Sequence, residues 1–246
     1  MHDDPSNGAA SISIFGTEKI LTGHAQRISL PKGAAIRQHP ETPRFAHVLL
    51  SGLIATSLRF KEGRSVFTRV QSAGDLIEID HVLGCYQADT VSRVLIPGVA
   101  VRIPFATLQS TIEEDAGLRK GLLRSLGQRV LEAECLSACN LVHPLEQRLA
   151  RYLLDIAQRM NVISIPLTQG QLAQLLGVRR TSIVFTAGEL RRKKLIDFRR
   201  ASILIQDSLQ LEQAACDCYR KIANYRVVDA GASASGDLAL AEQQVA

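Results

Sequence analysis

The sequence contains no tryptophan, and aromatic residues fill only 4% of its 246 positions. Its cores must therefore be built from Leu, Ile, Val and Ala. Cysteine is sparse and irregular: Cys85, Cys135, Cys139, Cys216 and Cys218 form an odd set with no framework spacing. That argues against a disulfide-stapled secreted scaffold and fits a reducing compartment. No apolar run approaches the roughly 18 residues of a membrane-spanning helix. The opening segment MHDDPSNGAASIS is acidic and polar, without the basic-then-apolar order of a secretory signal. A cytoplasmic protein without membrane association is the expectation. His81 stands near Glu78 and Asp80, a group that could suggest acid–base chemistry or a metal, but no nucleophile or phosphate loop accompanies it. No enzyme is expected.

What the chain does have is positive charge concentrated in one place. Arg179, Arg180, Arg191, Arg192, Lys193, Lys194, Arg199 and Arg200 face only Glu189 and Asp197, a net +6 within 22 residues of a chain whose total is +5. A charge run alone is ordinarily a solvated face. Here its position favours DNA. Thr168-x-x-Gln171 is a capping box that opens a short helix with Leu172, Ala173 and Leu176 on its buried side, and Gly177 ends it. The following helix places Ile183, Ala187 and Leu190 on one stripe, with Thr181, Phe185 and Arg192 opposite. A capped helix, a glycine turn and a second helix opening on arginines is how a chain presents one helix to DNA. Ile196 to Ile205 then reads as a hairpin with an Arg-rich arm, a wing.

Upstream the texture differs. From about Ile20 to Phe105, short β-branched runs are broken by turn residues, with 61–64 as a hairpin tip, which predicts a small barrel or sandwich. From about Ile112 to Asn140 there is no proline, and Leu123, Leu126, Val130 and Ala133 recur at 3-4 spacing. That seam fits either packing on the barrel or a dimer helix, and two-fold DNA readers need the latter. Pro144 restarts the chain with a helix carrying Leu145, Leu149, Leu153 and Ile156 on one face. Residues 208–225 read as helical, and the Ala/Ser/Gly-rich end from Asp229 reads as disordered.

The stretch from Leu172 to Ile183, followed by Glu189-Leu190 and Leu195-Ile196, resembles the Crp/Fnr superfamily of bacterial transcription regulators. The likeness covers most of residues 20–225 and implies an α+β fold. An N-terminal cyclic-nucleotide-binding-like β-roll would be joined by a long connecting and dimerisation helix to a C-terminal winged helix-turn-helix. The implied boundaries are a flexible N-terminus (1–14), the β-roll effector domain (15–110), the connecting helix (111–140) and the DNA-binding domain (144–210). A C-terminal helix (211–228) and a disordered tail (229–246) complete the chain. By this resemblance the protein acts as a homodimer on a palindromic double-stranded operator, with RNA polymerase as a further potential contact. DNA would be met by Gln169, Arg179, Arg180, Thr181, Ser182, Phe185, Arg192, Arg199 and Arg200. Arg180 matches the arginine that often contacts a guanine, whose O6 and N7 a guanidinium can reach together. Thr181 stands where many members have Glu, and Phe185 where several have Arg, so a standard family half-site is not implied. Phe185 either packs on a thymine methyl or is a buried ring.

The N-terminal half departs further from the family. Gly74 to Gly84 begins like a phosphate cassette but lacks its second glycine, and the segment 87–94 has no Arg-Ser pair. Glu78, Asp80 and Asp89 place negative charge where a phosphate needs donors and a cation. A response to cyclic AMP is not expected. No cofactor is expected either, because the N-terminus lacks the cysteine group of an iron–sulfur member. Cys135, Cys139 and His143 share a helical spacing that could offer soft ligands, but Pro144 should break the helix there. Cys216 and Cys218 should point to different faces, so small buried cysteines are the expected reading. Cys85 among acidic neighbours should be a poor thiolate. The alternative function is a small-molecule, redox or metal sensor whose main output is protein–protein contact.

Overall fold

A computed structural model describes residues 10–14, 17–21, 25–37, 44–61, 63, 65–77, 79–85 and 90–231. Strands β1 (Ala10–Ile14) and β2 (Thr17–Leu21) pair as an antiparallel hairpin. Residues 10–14 were expected within a flexible lead-in; their alternation of Ser and Ile is instead the period-two pattern of a strand. Residues 1–9 and 232–246 lie outside the described residues, as do Glu78 and Asp89.

The β-roll follows: β3 (Gln26–Leu30), β4 (Ala35–Arg37), β5 (Phe45–Arg59), β6 (Ser65–Gln71), β7 (Leu76–Ile77) and β8 (Thr90–Pro104). Its antiparallel order is β3-β8-β5-β6, with β4 paired to β8 and β7 to β5. β5 and β8, 15 residues each, form the spine and pair from Phe45–Pro104 to Leu58–Thr90. Such long strands bend at bulges, here around Gly52 and Gly98. A Cβ on Gly98 would lie 2.0 Å from the Ser51 carbonyl oxygen, and Gly52 has φ +94°, so only glycine lets the two backbones close this corner. The interior is aliphatic, as the shortage of aromatics required. Leu30, Leu49, Ile54, Ile77, Val94 and Ala100 form one core, and Val48, Leu76, Val101 and Ile103 belong to another.

The second β-roll core is closed by helices. After the single turn α1 (Ile79–Val82), the expected single connecting helix is two: α2 (Phe105–Glu114) and α3 (Ala116–Val142). Asp115 makes the break, because its extended backbone and its carboxylate, which accepts from the Leu118 N–H, form an N-cap. Leu108, Ile112, Leu118 and Leu122 bury against the β-roll. The predicted seam divides: Leu126 packs on this core, whereas Leu123 and Val130 remain 67% and 56% exposed.

Helix α4 (Leu145–Met160) opens after Pro144 and buries Leu149, Leu153 and Ile156. Around it stand β9 (Ser164–Ile165), α5 (Gln169–Leu176), α6 (Arg180–Arg192), β10 (Ile196–Arg199) and β11 (Ser202–Ile205). β11 pairs with both β10 and β9. Leu53, Ala55, Leu95 and Ile96 of the β-roll join the same core, so the winged domain packs directly on β5 and β8. The expected single C-terminal helix is also two, α7 (Ser208–Ala214) and α8 (Cys218–Gly231), with 215–217 as a connector.

One buried ionic network ties these parts together. Asp155 of α4 accepts from Arg159 (3.2 Å) and from Arg226 of α8. Glu132 of α3 accepts from both arginines at 2.7 Å, and Asp75 of the β-roll lies 3.8 Å from Arg159. Burial alone would raise the pKa of Asp155, but the charges of Arg159 and Arg226 outweigh it and hold the carboxyl below its ordinary value. Its stabilising effect is therefore complete above the ordinary carboxylate pKa of about 3.9 and fades as pH falls through the lower folded value. Asp155→Asn removes the more buried of the two carboxylates that Arg159 and Arg226 share, leaving Glu132, and should cost up to about 3–5 kcal/mol. Denaturant unfolding at pH 7 and at pH 3 checks this: the gap between wild type and variant should be large at pH 7 and shrink in acid.

Candidate nucleic-acid interface

The helix-turn-helix is assembled by local signals that all agree. The Thr168 hydroxyl accepts from the Gln171 N–H, and the Gln171 side chain accepts from the Thr168 N–H (2.9 Å), so the capping box forms as the sequence implies. At the other end of α5, Gly177 adopts φ +66° and Arg148 of α4 donates to the Leu176 carbonyl at 2.8 Å. The turn Gly177–Val178–Arg179 leads into α6, whose inner face is fully committed: Ile183, Ala187 and Leu190 have no exposed surface.

Its outer face carries the residues singled out in the sequence. Arg180 and Thr181 are exposed on the first turn, Ser182 is half-buried, and Arg179 is the N-cap with no side-chain cap hydrogen bond. Phe185 is 72% exposed, which settles its two readings in favour of an outward ring. Gln169 opens α5, half-buried. Arg199 and Arg200 are exposed at the wing tip, where Ala201 turns the chain with φ +63°.

Other basic residues are already engaged. Arg191 pairs with Asp197 at 3.1 Å, Arg192 with Glu189, and Lys193 with Glu146 of α4. The same face also carries Val184, 47% exposed, and Gly188, at neither of which sequence reasoning pointed. Their signal was present, since both continue the stripe of Thr181 and Phe185 at helical spacing.

In the β-roll, the segment expected to be a defective cassette supplies no cation to the interior among the described residues. Thr56 donates to Gln71 (3.0 Å) and shares a hydrogen bond with Ser92 (2.9 Å), a neutral and mutually satisfied set. Arg93 is exposed and donates outward to the Gly33 carbonyl. Arg129 of α3 donates to the Leu76 carbonyl and lies 3.6 Å from Asp75.

A second assembly corrects the reading of the cysteines. Cys216 lies in the connector before α8 rather than on it, so it and Cys218 both turn into one cluster with Cys139. α3 ends at Val142, yet the His143 N–H still bonds to the Cys139 carbonyl, which keeps the ring on the helical register. Cys139, His143, Cys216 and Cys218 thus place four potential ligand atoms within 4.8 Å of one another. Hydrogen bonding from Cys216, aided by His143 and Arg151, pulls the Cys139 thiol down to about 5, while burial pushes Cys218 up to about 12.

Residues 147–214 match the Crp-like helix-turn-helix domain. The CRP-like cAMP-activated global transcriptional regulator of Mycobacterium tuberculosis is 25% identical over 206 residues, spanning 79% of this chain and 90% of that protein. The structure of FixK2 from Bradyrhizobium japonicum superposes with a TM-score of 0.67 at 15% identity, covering 78% of this chain and 98% of that one. A CRP/FNR-family regulator from Thermus thermophilus gives 0.65 at 20% identity, covering 77% and 98%. The winged domain is thus a Crp-like helix-turn-helix, and the whole fold is that of its β-roll-bearing regulators. Over the whole chain the likeness is to Crp/Fnr-type transcription regulators. Among the described residues no helix is long and apolar enough to cross a membrane.

Gly188 is the anomaly of this face. A Cβ there would meet nothing within 4 Å, so packing within the chain does not require glycine, yet mid-helix glycine costs close to 1 kcal/mol relative to alanine. Gly188→Ala should raise Tm. A lowered Tm in calorimetry would mean that the helix itself needs glycine at this position.

Proposed function

We propose that the protein binds a palindromic double-stranded operator as a homodimer, with α6 of each protomer in the major groove, and that cyclic AMP is not its effector. The observation that carries the reading is the division of α6. One face is wholly buried; the other presents Arg180, Thr181, Val184 and Phe185 beside a wing tipped by two exposed arginines. Arg180, on the first turn, is positioned to reach a guanine edge, and the exposed Phe185 ring to lie on a thymine methyl. Arg179, Ser182 and Gln169 flank them, and the uncapped N–H groups at the start of α6 favour a phosphate. Arg192, Arg199 and Arg200 neutralise the backbone. The ion pairs of Arg191, Arg192 and Lys193 are surface pairs of about 0–1 kcal/mol, so exchanging their acidic partners for phosphates costs little.

Support for the dimer comes from α3. Leu123, Val130 and Leu141 are 67%, 56% and 86% exposed and recur along the helix, an apolar stripe that one chain leaves uncovered. A regulator so seated on DNA is placed to contact RNA polymerase. Against cyclic AMP stands the β-roll interior, where Thr56, Gln71 and Ser92 satisfy one another and Arg93 faces outward.

Three measurements test these proposals. Arg180→Ala should cost about 1–3 kcal/mol on the preferred site and relax the preference at one symmetric base-pair position. Replacing Arg199 and Arg200 together should weaken all sequences alike and flatten the log–log salt slope by about 0.9 for each phosphate no longer neutralised. An equal loss on cognate and scrambled DNA for Arg180→Ala would make Arg180 a phosphate clamp and overturn its assignment as reader. Separately, millimolar cyclic AMP should leave both Tm and DNA affinity unchanged, since any ligand of the folded state stabilises it by mass action. A clear rise in Tm would contradict the effector reading.

A further inference from the structure

Three cysteines and a histidine, distant in sequence, meet where the end of α3 touches the connector before α8. We propose that Cys139, His143, Cys216 and Cys218 form a closed tetrahedral site for a single zinc ion. The distances match such a site. Zinc bonds of about 2.3 Å to sulfur and 2.0–2.1 Å to nitrogen, set tetrahedrally, separate two thiolates by about 3.8 Å and a thiolate from an imidazole nitrogen by about 3.6 Å. Cys139 and Cys216 stand 3.5 Å apart, Cys218 Sγ and His143 Nδ1 3.7 Å apart, and all four ligand atoms lie within 4.8 Å of one another. That spacing holds one ion. A multi-iron core would need room for its own bridging sulfides between the thiolates.

The surroundings complete the site. The remaining ring nitrogen of His143, Nε2, faces the Asp217 carboxylate at 3.6 Å, the outer-shell contact that fixes a ligating imidazole by its far nitrogen. The three cysteines are buried, so every position around the ion is filled by the protein, as in a structural rather than a catalytic centre. Binding displaces the thiol protons that remain and leaves three thiolates, a neutral imidazole and a dication, a net charge of −1. Arg151, 2% exposed, acts electrostatically on both Cys139 and Cys216, and its Nε has no hydrogen-bond partner among the described residues. Beside an anionic zinc centre this buried cation is balanced. The ion would fasten the start of α8 to the end of α3, beside the break at His143–Pro144.

Elemental analysis of full-length protein purified under reducing, oxygen-free conditions should find one zinc per chain. Cobalt(II) added to metal-stripped protein should give the intense visible absorption of a tetrahedral thiolate site, saturating at one equivalent. Cys216→Ser and Cys218→Ser should each abolish stoichiometric zinc, while Cys85→Ser keeps it. The cobalt titration uses the unaltered sequence and so decides the matter even if a variant fails to fold. Three results would overturn the proposal: no metal together with no cobalt spectrum, iron accompanied by labile sulfide, or a Cys139–Cys216 disulfide in the oxygen-free protein.

Discussion

Glu132, Asp155, Arg159 and Arg226 join three helices at one buried junction, and Asp75 extends it into the β-roll. The placement of the winged domain depends on this point. α4 touches the junction on one side and the winged-domain core on the other, where Leu149, Leu153 and Ile156 meet α5 and α6. The chain is broken at His143–Pro144, so α3 and α4 share no continuous backbone ladder that would hold their angle. Interlocked charges, expensive to separate once buried, supply that constraint instead.

With α4 held, the orientation of α6 follows. Arg148 ties α4 to the end of α5, Gly177 sets the turn, and three buried side chains fix the rotation of α6 about its axis. Rotation matters more than position for base reading, because one residue of phase error would carry Phe185 into the core and Ile183 out. The paired state of Arg191, Arg192 and Lys193 also tempers the electrostatic picture. The formal +6 of this region already counts Glu189 and Asp197, and the pairing of Lys193 with Glu146 offsets one further charge, so the exposed Arg179, Arg180, Arg199 and Arg200 carry most of what remains.

Features governed by local rules were legible in the sequence: the capping box at Thr168, the turn at Gly177, the inner stripe of α6 and the wing hairpin. The strands of the β-roll were legible for the same reason, since alternation and turn residues act within a few positions. What escaped depended on partners distant in sequence or on a single backbone break. Asp115 splits the connecting helix by a side-chain cap that composition does not distinguish from an ordinary exposed aspartate. Sequence spacing puts Cys216 on a helix that begins two residues later, which turns a convergent pair into a divergent one. In the sequence Asp155 and Arg159 have the spacing of a solvent-facing i,i+4 pair. Only the approach of Glu132 and Arg226, 27 and 67 residues from Arg159, makes them a buried network.

On the proposed reading, two copies of α6, related by a two-fold axis, read a duplex. Selecting bound fragments from a pool of random DNA with the full-length protein tests it most directly. The expected result is an enriched inverted repeat whose half-site centres lie about 10–10.5 base pairs, or a multiple of that, apart. Enrichment of a single asymmetric site, or of no sequence at all, would contradict it.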